Sequence, residues 1–362
     1  MTKVILLSQF PLPYHKIGSW TTMYKNYLES NHNIDYIVCE KPEFLFKTVN
    51  YGFVNNSLPI KIKKKLQRNY YLDYIYGLNE IIKQGEKYII QVIDNFGIVE
   101  HLNTYLEQKG VRENCYIQFF FHGYSCFYKD FESRSFFKTI DEMVLLTQDS
   151  YRLHKNYYTI LPTRFSVLHN GIDTTKFYKV TSTEKLELKE TFKSNDKTIF
   201  VWCSQDRPKK GLHLILDVWK RLFKERKNIE LWVIGVTSDK QIVGVRFIGR
   251  VPNDDLPKYY QAADCYLFPT LWQEGFGLSL IEALHCGCYC IASKIGGVTE
   301  VLDYGRYGKL IDNPHFINSW VAAIHEFLNE PLVFENISKE KYSMNQWNLD
   351  MNTIISEAKI NI

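Results

Sequence analysis

The sequence predicts an α/β protein made of two Rossmann-like, doubly wound parallel-sheet domains facing each other across a cleft. Three observations carry this. Short apolar runs alternate with helical stretches along the whole chain, small or polar residues follow the runs directly, and the second half repeats the scheme of the first. Strands buried on both faces read as unbroken apolar runs, and strands separated by helices demand crossovers and a parallel sheet. A length of 362 residues suits about two domains.

In the first half, strands are predicted at 4–7, 34–39, 88–93, 116–121, 143–146 and 165–168, with a helix over 20–28. Several of these runs end in polar residues: Asp94 and Asn95, His122 and Gly123, Thr147. Open α/β sheets bind ligands at the carboxyl ends of their strands, so these residues, with His15 and Gly18, are expected on one rim. A polar, charge-rich stretch spans 181–197. Strands follow at 198–203, 229–236, 245–249, 265–269 and 289–292, interleaved with helices at 211–224, 256–263, 278–286, 316–328 and 344–359. Gly287 is a fitting stop for the helix before it. The expected domains are 1–167, 168–335, and a C-terminal segment 336–362 whose helix, with Trp347, crosses back onto the first.

Composition narrows the function. A formal net charge of +4 is too mild for a nucleic-acid binder. None of the eight cysteines forms a Cys-x2-Cys pair, and the alternating Cys286, Cys288 and Cys290 read as buried, reduced thiols rather than a metal site. No apolar run approaches the roughly 18 residues that span a bilayer, and 4–7 is too short for a signal-peptide core, so a cytoplasmic protein is expected. Lys61, Lys63, Lys64, Lys65 and Arg68, close to Tyr70, Tyr71, Tyr74 and Tyr76, are either a solvated helix face or a basic, aromatic surface for peripheral membrane contact.

The most informative block runs from Phe268 to Leu284: a strand, a loop with Gly275 and Gly277, then a helix beginning near Leu278. The loop glycines free backbone N–H groups at the helix start, a natural phosphate site. Glu274 and Glu282 flank that start. A carboxylate accepts from hydroxyls and repels phosphate, so one motif can hold a diphosphate on amides and sugar or ribose hydroxyls on carboxylates. The plainer reading is a helix with an acidic first turn favoured by its dipole.

This block resembles the Glu-x7-Glu motif of the retaining family 4 glycosyltransferases, which have the GT-B fold. Gly249–Leu256, Tyr259–Asp264, Ile295–Glu300 and His169–Asp173 with Phe177 follow that family's pattern in order and spacing. The resemblance implies a nucleotide-diphosphate sugar as donor and a glycan or lipid-linked acceptor. It implies that Glu274 contacts the donor sugar, with backbone groups of Gly275, Phe276 and Gly277. Leu278 and Ser279 amides would hold the diphosphate, Glu282 the ribose, and Arg250, Val251 and Pro252 would flank the base. Lys210 resembles the lysine that pairs with diphosphate, and His122 the histidine of the sugar and acceptor site, with Asp94, Asn95 and Gly123 beside it. Two departures stand out. Ser204 occupies the place of the family's arginine, so Arg207 or Lys209 supplies a second charge or the site holds less charge. Gly18-Ser19 stands where relatives carry paired glycines. No Asp-x-Asp pair occurs, which fits a metal-independent transferase without a resident cofactor, using Lys210 and the helix terminus to stabilise the leaving group. The alternatives are a non-catalytic glycan- or nucleotide-sugar-binding scaffold subunit and a GT-B sugar-nucleotide epimerase.

Overall fold

The computed structural model describes residues 2–14, 19–54, 57–329 and 335–362. The chain divides into two compact units, 1–170 with 344–362, and 171–343. Each is built on a parallel sheet.

In the first unit, β1 (Lys3–Leu7), β2 (Tyr36–Cys39), β3 (Asn50–Phe53), β4 (Tyr88–Ile93), β5 (Cys115–Phe121), β6 (Glu142–Leu145) and β7 (Arg164–Val167) lie in the order β3-β2-β1-β4-β5-β6-β7. Side chains of a strand alternate between faces. Val4, Leu6, Ile37, Ile89 and Phe120 therefore enter one core, while Ile5, Leu7, Val38, Ile90 and Phe119 enter the other. That double burial is why the strands read as continuous apolar runs. A polar row crosses the sheet within this packing: Gln91 donates to Gln118 (3.0 Å) and Gln118 to Glu142 (2.8 Å), so buried amides satisfy one another across three strands.

The helix Met344–Ile360 belongs to this unit. Met344, Trp347, Met351, Ile354, Ile355 and Ala358 pack into the core that holds Val4 and Leu6. The Trp347 ring meets Tyr24 and Tyr27 edge-on, with centroids 5.5 and 5.6 Å away.

In the second unit, β8 (Thr198–Cys203), β9 (Ile229–Ile234), β10 (Val245–Gly249), β11 (Cys265–Phe268), β12 (Tyr289–Ser293) and β13 (Gly308–Ile311) run in the order β10-β9-β8-β11-β12-β13. The charge-rich stretch at 181–197 is not simply polar chain: Ser182–Thr191 is a helix. Thr181 and Glu184 form a reciprocal cap at its start, and Lys185 and Lys189 bind Asp264 at 2.9 and 2.6 Å. Ion pairs, rather than an apolar stripe, seat it. Cys286, Cys288 and Cys290 are buried free thiols. No helix among the described residues is long and apolar enough to cross a membrane.

Trp347→Ala removes a ring that is only 3% exposed. It should cost about 3–5 kcal/mol of stability, read as a lowered urea midpoint; a change below ~1 kcal/mol would mean that this helix does not help to hold the first unit.

Candidate functional site

The order of the second sheet reverses between β8 and β11, the kind of position at whose strand ends open α/β sheets bind ligands. The loops after β8 and β11 carry most of the donor-side residues read from the sequence. Their backbones are in close contact. Leu271 N donates to Lys209 O at 2.7 Å, and Gly211, at φ +71°, has its Cα so near Pro269 that a Cβ would lie 2.0 Å from the Pro269 carbonyl oxygen. The loop after β12 closes from the other side. Gly297 N donates to Glu274 O at 2.9 Å, and a Cβ on Gly296 (φ +65°) would lie 2.4 Å from that oxygen. Glu274 is thus held by its main chain, which leaves its carboxylate free to be aimed.

It is aimed at Lys210: the ammonium forms an ion pair with Glu274 Oε1, which also accepts from Thr270 Oγ1 at 3.1 Å. Both charged side chains are about one-fifth exposed, reachable yet partly desolvated. The helix Leu278–His285 starts four residues after Glu274, behind the left-handed Gly277. Leu280 and Ile281 N–H already bond Gly277 O at 3.0 and 3.3 Å, so Leu278 and Ser279 are the first-turn amides that precede the intrahelical ladder. Its first turn is tied to β8 and β11 by Tyr266, whose hydroxyl donates to Cys203 O (3.2 Å) and lies 2.9 Å from Ser279 Oγ.

Glu282 is half-buried on this helix. Burial raises its carboxyl to about 7, with Lys176 opposing the shift. Burial likewise raises the neighbouring Cys203 thiol to about 12.

Other expected donor residues lie differently. Ser204 is half-buried and follows β8 directly, its N–H bound to Ile234 O at 3.2 Å. Arg207 and Arg250 are exposed, Val251 is half-buried, and Pro252 is exposed with its carbonyl accepting from Asp255 and Leu256 N–H at 3.0 and 3.2 Å. Lys209 is exposed, with its ammonium 5.3 Å from the centre of the Trp272 ring. Phe276 is buried edge-on against Tyr342 at 5.2 Å, so its contribution to a ligand is its main chain. Gly275 is half-buried in the same loop. Thr270, Tyr266 and Trp272 were missed by sequence reasoning. Trp272 is 60% exposed, whereas the other six tryptophans are 9% exposed or less; its only sequence signal is its place two residues before Glu274.

On the first unit, the strand order reverses between β1 and β4. Asp94 follows β4 and His122 follows β5. The Asp94 carboxylate accepts from His122 N–H (2.8 Å) and lies 3.0 Å from His122 Nδ1. Trp20 stacks on the imidazole at 6.4 Å and 25°. This fixes the ring and leaves Nε2 as the nitrogen that Asp94 does not engage. Asn95 is buried at the start of the helix Phe96–Gln108, and Gly123 is half-buried after His122. His15 and Gly18 lie outside the described residues. Among the basic residues at 61–68, Lys64 turns inward and pairs with Asp73, a buried carboxylate, so it is an anchor and not part of a free basic surface.

Comparison with known proteins bears on the fold and on the class of protein. Residues 184–344, most of the second unit, match the family model described as glycosyl transferases group 1. Among curated relatives, the phosphatidyl-myo-inositol mannosyltransferase of Mycobacterium tuberculosis is 27% identical over 150 residues, 39% of this chain and 38% of that enzyme. The D-inositol 3-phosphate glycosyltransferase of Thermobifida fusca is 25% identical over 53% of this chain and 48% of its own. The match to the first of these thus spans about two fifths of that relative's length. Solved structures share the fold throughout. Sucrose-phosphate synthase of Thermosynechococcus elongatus superposes with a TM-score of 0.72 at 14% identity over 100% of both chains. HepE of Anabaena, solved with UDP-glucose, gives 0.67 at 15% identity over 98% of this chain and 99% of its own. The architecture is GT-B, and the resemblance read from the Glu-x7-Glu region is to glycosyltransferases of this kind.

The raised Glu282 carboxyl has a thermodynamic consequence. Between pH about 4.5 and about 7 the unfolded chain has already released this proton while the native state retains it. Native stability therefore falls as pH rises through that window. Thermal melts of Glu282→Gln should lack this component of the decline; parallel pH profiles for variant and wild type would show that Glu282 ionises normally.

Proposed function

We propose that the protein is a retaining, metal-independent glycosyltransferase that moves a sugar from a UDP-, GDP- or related nucleotide-diphosphate sugar to a glycan or lipid-linked acceptor. The observation that carries this reading is the Lys210–Glu274 ion pair on the loops after β8 and β11, where the sheet order reverses, with the helix that begins at Leu278 four residues beyond Glu274. Without ligand the ammonium and carboxylate satisfy each other. An incoming donor substitutes for both: its diphosphate takes Lys210 and the helix amides, and its sugar hydroxyls take Glu274. Glu282 binds the ribose hydroxyls. Relatives and neighbours support the choice of substrate class, since their names specify mannosyl transfer to an inositol lipid and a complex with UDP-glucose.

In this mechanism the anomeric carbon–oxygen bond to diphosphate breaks as the acceptor oxygen bonds to the same face. The acceptor proton passes to a departing phosphate oxygen. Lys210 and the helix terminus stabilise the negative charge that develops there, a task for which a single preorganised donor commonly supplies about 10²–10³ in rate. The His122–Asp94 pair serves the acceptor side, holding a hydroxyl at Nε2. The buried free cysteines suit work in a reducing compartment.

Purified protein screened against nucleotide sugars should release free nucleotide diphosphate from one of them. Lys210→Ala should lower that rate by about 10²–10³, Glu274→Ala should abolish it, and product NMR should show a retained anomeric configuration. Absence of turnover with every nucleotide sugar would leave a non-catalytic binding subunit as the better reading, turnover insensitive to both substitutions would place the chemistry elsewhere, and an inverted product would overturn the same-face step.

A further inference from the structure

The helix Leu58–Leu66 (sequence LPIKIKKKL) is seated back to front for a solvent-facing helix. Its one buried residue is Ile60, and Lys64 beside it reaches inward to Asp73. The opposite side carries Leu58, Ile62 and Leu66, which are 76%, 59% and 78% exposed. These three are spaced four residues apart and fall within an arc of about 80° at 3.6 residues per turn. Three aliphatic side chains in line, held outward by a helix anchored on its other face, are not the scattered exposed leucines of an ordinary surface.

The charge beside this stripe identifies the occupant. Lys61 and Lys65 flank it on one side and Lys63 on the other, all exposed, with Arg68 and the 75%-exposed Tyr70 just beyond the helix. No acidic residue occurs between 58 and 72. Lys63 donates to the Tyr76 hydroxyl at 3.3 Å, and a protein groove would have to answer four exposed cations, none ion-paired among the described residues, at the edge of an apolar ridge. A lipid surface does so without design: aliphatic side chains enter the acyl boundary, cations meet anionic headgroups, and tyrosine sits at the interface.

We propose that the helix Leu58–Leu66 docks the first unit on an anionic membrane leaflet, with Leu58, Ile62 and Leu66 inserted and Lys61, Lys63, Lys65 and Arg68 on the headgroups. This goes beyond the transferase reading and stands independently of which sugar is moved. Lys64 is excluded from the lipid contact by its ion pair.

Flotation of the full chain with phosphatidylcholine vesicles and with vesicles containing phosphatidylglycerol tests it. Wild type should float with the anionic vesicles and remain behind with the neutral ones, and added salt should weaken the interaction. Each of K61Q, K63Q, K65Q and R68Q should reduce partitioning about fivefold. The triple variant L58S/I62S/L66S should lose flotation while keeping the wild-type circular dichroism spectrum, since these side chains support no core. Flotation unchanged by the triple variant, equal partitioning to both vesicle types, or absence of binding to either would overturn the proposal. So would sedimentation showing that the stripe instead joins two copies of the chain. Donor hydrolysis measured on the same preparations without lipid separates failure of this docking from failure of the proposed activity.

Discussion

The site depends on how closely the loops after β8 and β12 approach the loop after β11. Glu274 is clamped by its main chain between the loop after β11, to which it belongs, and Gly296–Gly297 after β12, while Gly211 brings the loop after β8 onto Pro269. A side chain at Gly211 or Gly296 would enter a carbonyl oxygen, and both residues hold a positive φ that other residues adopt at a cost. This crowding brings Lys210 and Glu274 together although 64 residues separate them in sequence. The helix that begins at Leu278 follows Glu274 by four residues and is tied to β8 through Tyr266. Topology alone supplies a crevice; the close backbone contacts decide which side chains line it.

Electrostatics then gives each part a distinct task. The amides of the helix terminus and Lys210 offer positive potential to an anion, whereas Glu274 and Glu282 offer acceptors to hydroxyls. A nucleotide-diphosphate sugar has hydroxyls on either side of its charged bridge, and this alternation of acceptor, donor and acceptor matches it. The free protein keeps Lys210 and Glu274 neutralised by each other, and burial raises the Glu282 carboxyl above its ordinary range. Two partly desolvated charges would otherwise be costly to hold unpaired.

Much of this architecture was legible in the sequence because doubly buried strands leave unbroken apolar runs: the limits read for 88–93, 198–203 and 245–249 coincide with β4, β8 and β10. β3, at the sheet edge with the sequence Asn-Tyr-Gly-Phe, and the short β13 carry no such run. The helix Ser182–Thr191 escaped notice because what seats it is Lys185 and Lys189 on Asp264, not an apolar stripe. Within the candidate site, Glu274, Glu282, Lys210 and the helix terminus were visible as a motif. Their relations were not. The Lys210–Glu274 ion pair, the Tyr266 link between β8 and Ser279, and the inward turn of Lys64 all arise from tertiary proximity that local spacing does not encode.

The central claim is that a diphosphate sits on the amides that open the Leu278 helix, next to Lys210. Amide NMR of the labelled protein during titration with UDP and then GDP addresses this directly. The account predicts that the resonances of Phe276, Gly277, Leu278 and Ser279 shift most, saturably, with at least one of the two nucleotides, and that Lys210→Gln weakens the response. Saturable binding that leaves these four amides unmoved while shifting others would contradict it.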